Sequence, residues 1–119
     1  FFFKPALARS DDPRAQIVAL FDVRREMMEQ APCRGCLAMK AGQEYIGKHE
    51  GISTHGKAAS VYIEGRFIAL CEKAGVVKPR DTGRQINLLF QGAALTAQMQ
   101  QDPSIFEVAR KAADILLAA

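Results

Sequence analysis

The sequence predicts an all-α protein, a helical bundle of about five helices. Three observations predict it. Apolar residues recur at three- and four-residue spacing in one segment after another. Asp-Pro and Gly punctuation stands where such segments should begin and end. Runs of alternating or β-branched residues, which would mark strands, are nearly absent.

Asp11-Asp12-Pro13 starts the first clear helix: Asp12 can cap it and Pro13 fits its first position. Ile17, Leu20, Phe21, Met27 and Met28 follow helical spacing behind it, and Pro32 stops it. Cys33-Arg34-Gly35 makes a turn, and a short helical stretch runs from Cys36 to about Ile46. Residues Gly47 to Gly56 read as a loop, with Ser53 or Thr54 able to cap the next helix. That helix carries Ile63, Phe67, Leu70, Cys71 and Ala74, and Gly75 sits where its C-terminal cap belongs. Pro79 and Asp81 open another, with Ile86, Leu89, Phe90, Ala93, Ala94 and Ala97 as its stripe. Asp102-Pro103 repeats the start signal, and Ile105, Val108, Ala109, Ala112 and Leu116 carry the last helix.

The chain has 119 residues, 49% of them hydrophobic, which suits one domain with a real core. Charged or amide residues interrupt every apolar run, so no membrane span is expected. Phe1-Phe2-Phe3-Lys4-Pro5 is not a signal peptide; a chain that begins this way reads as a fragment, or as the ordered part of something longer. The net charge of +3 comes from scattered basic residues rather than a dense patch, which gives little support for direct DNA contact. Three cysteines without a secretory signal suit a reducing, cytoplasmic setting rather than a disulfide scaffold.

The last two helices carry more apolar surface than one core face needs. The helix around Ile86 has a second stripe of Leu88, Gly92, Leu95 and Met99; the final helix has one from Phe106 through Ala113 to Leu117. A helix apolar on two faces must bury both. A second subunit is the expected cover, and Gly92, Ala93 and Ala94 would allow close helix approach, giving a symmetric homodimer. The alternative is that both helices are central to the monomer.

Several segments together resemble a known family. Gly35-Cys36-Leu37 followed by Lys40 and Glu44 looks like the "GC…E" segment of TetR-family C-terminal domains. Upstream, Asp12-Pro13 leads into the helix with Ala19-Leu20-Phe21-Asp22, and downstream Ala74-Gly75 closes a helix. Leu88-Leu89-Phe90-Gln91-Gly92-Ala93-Ala94 resembles the family's "LL..GA" helix, and Asp102-Pro103 with the Ala-rich final helix matches its last element. Each motif is weak alone; their order covers nearly the whole chain. The resemblance implies a transcriptional regulator, a repressor by type, that is a homodimer with a four-helix interface made by the last two helices of each subunit. It also implies an N-terminal helix-turn-helix that reads operator DNA, and a small-molecule effector bound inside the C-terminal bundle. The DNA-reading head is not within these 119 residues, so 1–119 is read as the ligand-binding and dimerisation domain alone, with Phe1-Phe2-Phe3 near the end of the linking helix.

Candidate effector-lining residues on the inner stripes are Phe21, Met28, Met39, Tyr45, Phe67 and Phe90, which are apolar or adaptable groups.

 The pocket they would form selects by shape and apolar contact, and the effector expected of it is a small apolar or aromatic molecule. Glu44, on the short helix, could hold a basic or hydroxylated effector, and burial would raise its pKa; the alternative is a surface carboxylate.

Cys33-Arg34-Gly35-Cys36 is a CxxC without the strands of a thioredoxin-like site. His49 and His55 follow it, but without zinc-ligand spacing, so no metal or cofactor is expected. Cys36 stands at an expected helix N-terminus beside Arg34, and both features lower a thiol's pKa. The segment Gly35 to Lys40 is similar to TetR-type repressors that sense electrophiles through this cysteine, helped by a lysine whose matching position here is Gln98. Redox or electrophile sensing through Cys36, with Cys33 nearby, is therefore the alternative function, with inert packing as the plain one. Cys71 lies on an apolar stripe and reads as core.

No acid–base constellation, phosphate loop or nucleophile elbow is present, so the sequence is not read as an enzyme. A dithiol oxidoreductase using Cys33 and Cys36, and a helical adaptor that binds a protein partner through the doubly apolar helices, are the other readings.

Overall fold

The computed structural model describes residues 3–30 and 50–118, with side chains from residue 56 onward in the second stretch. All regular structure among the described residues is helical: α1 (Phe3–Ala8), α2 (Pro13–Gln30), α3 (Glu50–Lys73), α4 (Pro79–Gln100) and α5 (Ile105–Ala118). The predicted stretch from Cys36 to Ile46 lies outside the described residues.

Local chemistry sets most of the helix ends. The Asp12 carboxylate accepts from the Ala15 amide at 3.3 Å, and Pro13 follows it at the first helical position of α2. At the end of α3, Gly75 takes φ 74°, and the amides of Gly75 and Val76 donate to the carbonyls of Glu72 and Cys71 at 3.1 and 3.2 Å. This is the paired-bond cap that a left-handed residue allows. The end of α4 repeats it with Gln101 at φ 55°, and Asp102 donates to Ala97 at 2.9 Å. Before α5, the Ser104 amide and hydroxyl both donate to the Asp102 carboxylate, at 3.0 and 2.6 Å.

Two elements differ from the sequence reading. α1 begins at Phe3, where the resemblance places the end of a linking helix, and runs on to Ala8 through residues the sequence reading leaves unassigned; buried Phe3 and Ala6 anchor it. Residues 50–56, expected as loop, are the first turns of α3. Gly in a helix interior costs roughly 1 kcal/mol but does not forbid the helix, and no proline interrupts this stretch.

α2, α3, α4 and α5 close a ring: α2 packs on α3, α3 on α4, α4 on α5 and α5 on α2, while α1 lies against α2. The core is the inside of that ring. Ile17, Leu20 and Phe21 from α2 are fully buried, with Phe67 and Cys71 from α3 and Ile86 from α4. Burying each large side chain contributes about 1.5–3 kcal/mol. Because α2 touches three helices, Ala19 and Val23 are buried beside its predicted stripe. At the α3–α4 contact, a Cβ added to Gly83 would stand 2.7 Å from the Ile68 α-carbon, so glycine permits the close approach. The α2–α5 contact carries two ion pairs, Arg110 with Asp22 and Arg25 with Glu107, each 3.4 Å long. Their order along the two helices fits an antiparallel pair. Arg24 lies 5.9 Å above the ring of Phe106.

Candidate docking face and interior aromatic cluster

The inner stripes of α2, α3 and α4 bring Phe21, Phe67 and Phe90 together. Phe21 and Phe90 meet edge-on with centroids 5.4 Å apart, Phe67 and Phe90 are also 5.4 Å apart, and Phe3 approaches Phe67 at 6.1 Å. Rings in these geometries gain a specific contact beyond area burial. All three rings are buried, with Phe21 and Phe67 fully so. Met28 is buried on α2 as well. Of the other effector candidates, Met39, Glu44 and Tyr45 lie outside the described residues, as do Cys33 and Cys36.

Two polar side chains of α4, Thr82 and Asn87, are also buried, and Gln91 Nε2 approaches the Asn87 Oδ1 at 3.5 Å. The sequence reading misses both, since neither breaks the apolar spacing. Cys71 is buried, and burial pushes its thiol pKa up, with the Arg14 charge acting in the opposite direction. Its neutral thiol is part of the core, as its stripe position suggests.

The outside of α4 and α5 is different. Leu88 and Met99 are 71% and 68% exposed, Leu95 is exposed too, and Gly92 sits among them with open space above it. Across from them, α5 presents Val108 at 66% and Ile115 at 72% exposure. Between the two helices runs an apolar groove of about 510 Å³, lined by Gln85, Leu88, Leu89, Ala112, Ile115 and Leu116. A second hollow of about 250 Å³ shares Leu88, Leu89 and Ala112 and extends along the helices past Gly92 to Val108 and Ile105. The two form one continuous surface feature.

On α4 the outward stripe is the one read from sequence: Leu88, Gly92, Leu95 and Met99. On α5 the two stripes are exchanged except at Ala109, which is buried as its place on the expected core stripe requires. Phe106, Ala113 and Leu117, expected at a subunit interface, are buried within the single chain. Val108, expected in the core, is exposed, and Ile105, Ala112 and Leu116 are only partly buried. Periodicity finds two apolar faces on α5 but does not say which points inward. Here Phe106, the largest apolar side chain on the helix, fills the seam below Arg24, and the Glu107 and Arg110 ion pairs to α2 fix the same rotation.

Among the described residues, no group of three or more His, Cys, Asp or Glu side chains could hold a metal ion. No described helix is long and apolar enough to cross a membrane. No protein-family profile, curated protein or solved structure matches the chain.

Proposed function

We propose that this chain is the dimerising, effector-responsive domain of a TetR-type transcriptional repressor, whose DNA-reading head lies outside these 119 residues. The observation that carries the reading is the outward apolar face of α4 and α5, with Leu88, Met99, Val108 and Ile115 each at least 66% exposed. Side chains of this kind gain about 1.5–3 kcal/mol each on full burial. A second copy suits the face because ridges such as Leu88 and Ile115 flank a groove on the same surface, the arrangement an isologous two-fold contact requires. The effector half of the reading rests on the resemblance, with Phe21, Met28, Phe67 and Phe90 as the part of the proposed lining that lies within the described residues. An effector acts in such a domain only if it favours one dimer shape over another.

A thermal-stability screen tests the effector half, using small apolar, aromatic and electrophilic compounds on the unaltered protein and on Cys36→Ser. A ligand at a hundred times its Kd stabilises the native state by about 2.7 kcal/mol. Non-reactive compounds that raise Tm in both proteins support an effector site in which Cys36 is packing. Stabilisation by electrophiles alone, lost in Cys36→Ser, supports the thiol-sensing alternative. A flat response throughout counts against both and favours an adaptor that uses the same outer face.

A further inference from the structure

Arg14 stands in the first turn of α2, where the ends of two other helices converge. Its guanidinium donates through Nη1 to the carbonyl oxygen of Leu117, in the last turn of α5, and through Nη2 to that of Ala74 at 3.3 Å. Ala74 is the residue before the Gly75 cap of α3, and the helix ladder supplies its carbonyl with no N–H partner. Asp12 and Asp114 line the same cleft, yet Arg14 is held by carbonyls rather than by these carboxylates. A cation at two helix C-termini is favoured by both helix dipoles, and a planar fork can serve two acceptors at once.

The last turn of α5 also carries Ile115 and Leu116, which line the wide part of the outward groove. We infer that Arg14 is a positioning residue. It pins the end of α5 to the end of α3 through the start of α2, and so sets where Ile115 and Leu116 stand. A shift of α3 or α2 at this junction is thereby carried to the outer face. Only that last step rests on the docking function proposed above.

Amide hydrogen exchange on the whole chain tests this, comparing the unaltered protein with Arg14→Met and Arg14→Lys. Arg14→Met keeps the apolar stem without the charge and should speed exchange at residues 115–118 and 74–76 about tenfold more than at the centre of α4. Arg14→Lys keeps the charge without the fork and should restore protection at one of the two ends. Uniform acceleration along the chain, or none at the two ends, overturns the assignment. Should Arg14→Met not fold, the unaltered protein still decides: slowed rotation of the Arg14 guanidinium by ¹⁵N NMR is expected, and free rotation overturns it. The self-association constant adds a separate reading, with Kd in Arg14→Lys expected to rise several-fold. Loosened ends with an unchanged Kd would break the link to the outer face, and an unaltered protein that does not self-associate would sink the docking function while leaving the exchange result to stand.

Discussion

Gly83 lies so close to Ile68 that a β-carbon on it would be 2.7 Å from the Ile68 α-carbon and 2.8 Å from its Cγ1. The obstacle is backbone as well as side chain, so rotamer adjustment alone does not relieve it. Gly83→Ala should therefore push α3 and α4 apart and lower unfolding stability by about 1–3 kcal/mol, read by urea denaturation.

Gly92 is the counterpart on the same helix, since nothing lies within 4 Å of a β-carbon added there. In a lone chain, Gly92→Ala should raise stability by roughly 0.5–1 kcal/mol, because alanine is the better helix former. If a second copy seats on this face, the same substitution should also weaken self-association. Denaturation at low protein concentration and a dilution series by light scattering separate the two effects, which have opposite signs.

Gln101 holds the left-handed position that ends α4, at φ 55°. A side chain there is disfavoured by about 1–2 kcal/mol relative to glycine, partly offset by the 2.8 Å bond from Gln101 Nε2 to the Gln98 carbonyl. Gln101→Gly should give a net gain of about 0.5 kcal/mol, visible as a small rise in Tm.

Two surface carboxylates each add a small part to the acid limb of stability. The side-chain bond from Arg9 holds Glu26 below its ordinary 4.5, and the hydroxyl and amide of Ser104 hold Asp102 below its ordinary 3.8. A carboxyl depressed in the folded state stabilises it above the unfolded value, and that contribution is lost as pH falls through the folded value. Tm should therefore be insensitive to these two groups above about pH 5 and should fall below it. Asp102→Asn should remove part of that acid slope, and an unchanged slope would contradict the assignment. Both groups are solvent-exposed, so screening keeps the effect small.

The parts of this fold legible in the sequence are those governed by neighbouring residues. Asp12-Pro13, Gly75 and Asp102 each mark a helix end through a bond within a few residues. The rotation of α5 was not legible, because Phe106 and Val108 are both apolar and the choice between them depends on Arg24, Arg25 and Asp22, more than 80 residues away in the chain for the ion pairs, which are separated by 82 and 88 positions. Arg14 escaped for the same reason: its acceptors are carbonyls 60 and 103 positions distant, and backbone acceptors leave no trace in residue type. The outer stripe of α4 could be read because surplus apolar residues are themselves the signal. Gln101 could not, since a non-glycine cap has no distinctive spelling.

On the proposed function, the outer face of α4 and α5 holds a second copy of this chain. Sedimentation equilibrium of the unaltered protein beside the Leu88→Glu, Ile115→Glu double variant tests it most directly. Both substitutions lie on exposed positions, so the variant should keep its helical circular dichroism. The predicted result is a mass twice the 13.0 kDa of one chain for the unaltered protein and a single-chain mass for the variant. A single-chain mass for the unaltered protein at high concentration, or a variant that still sediments as a pair, would contradict it.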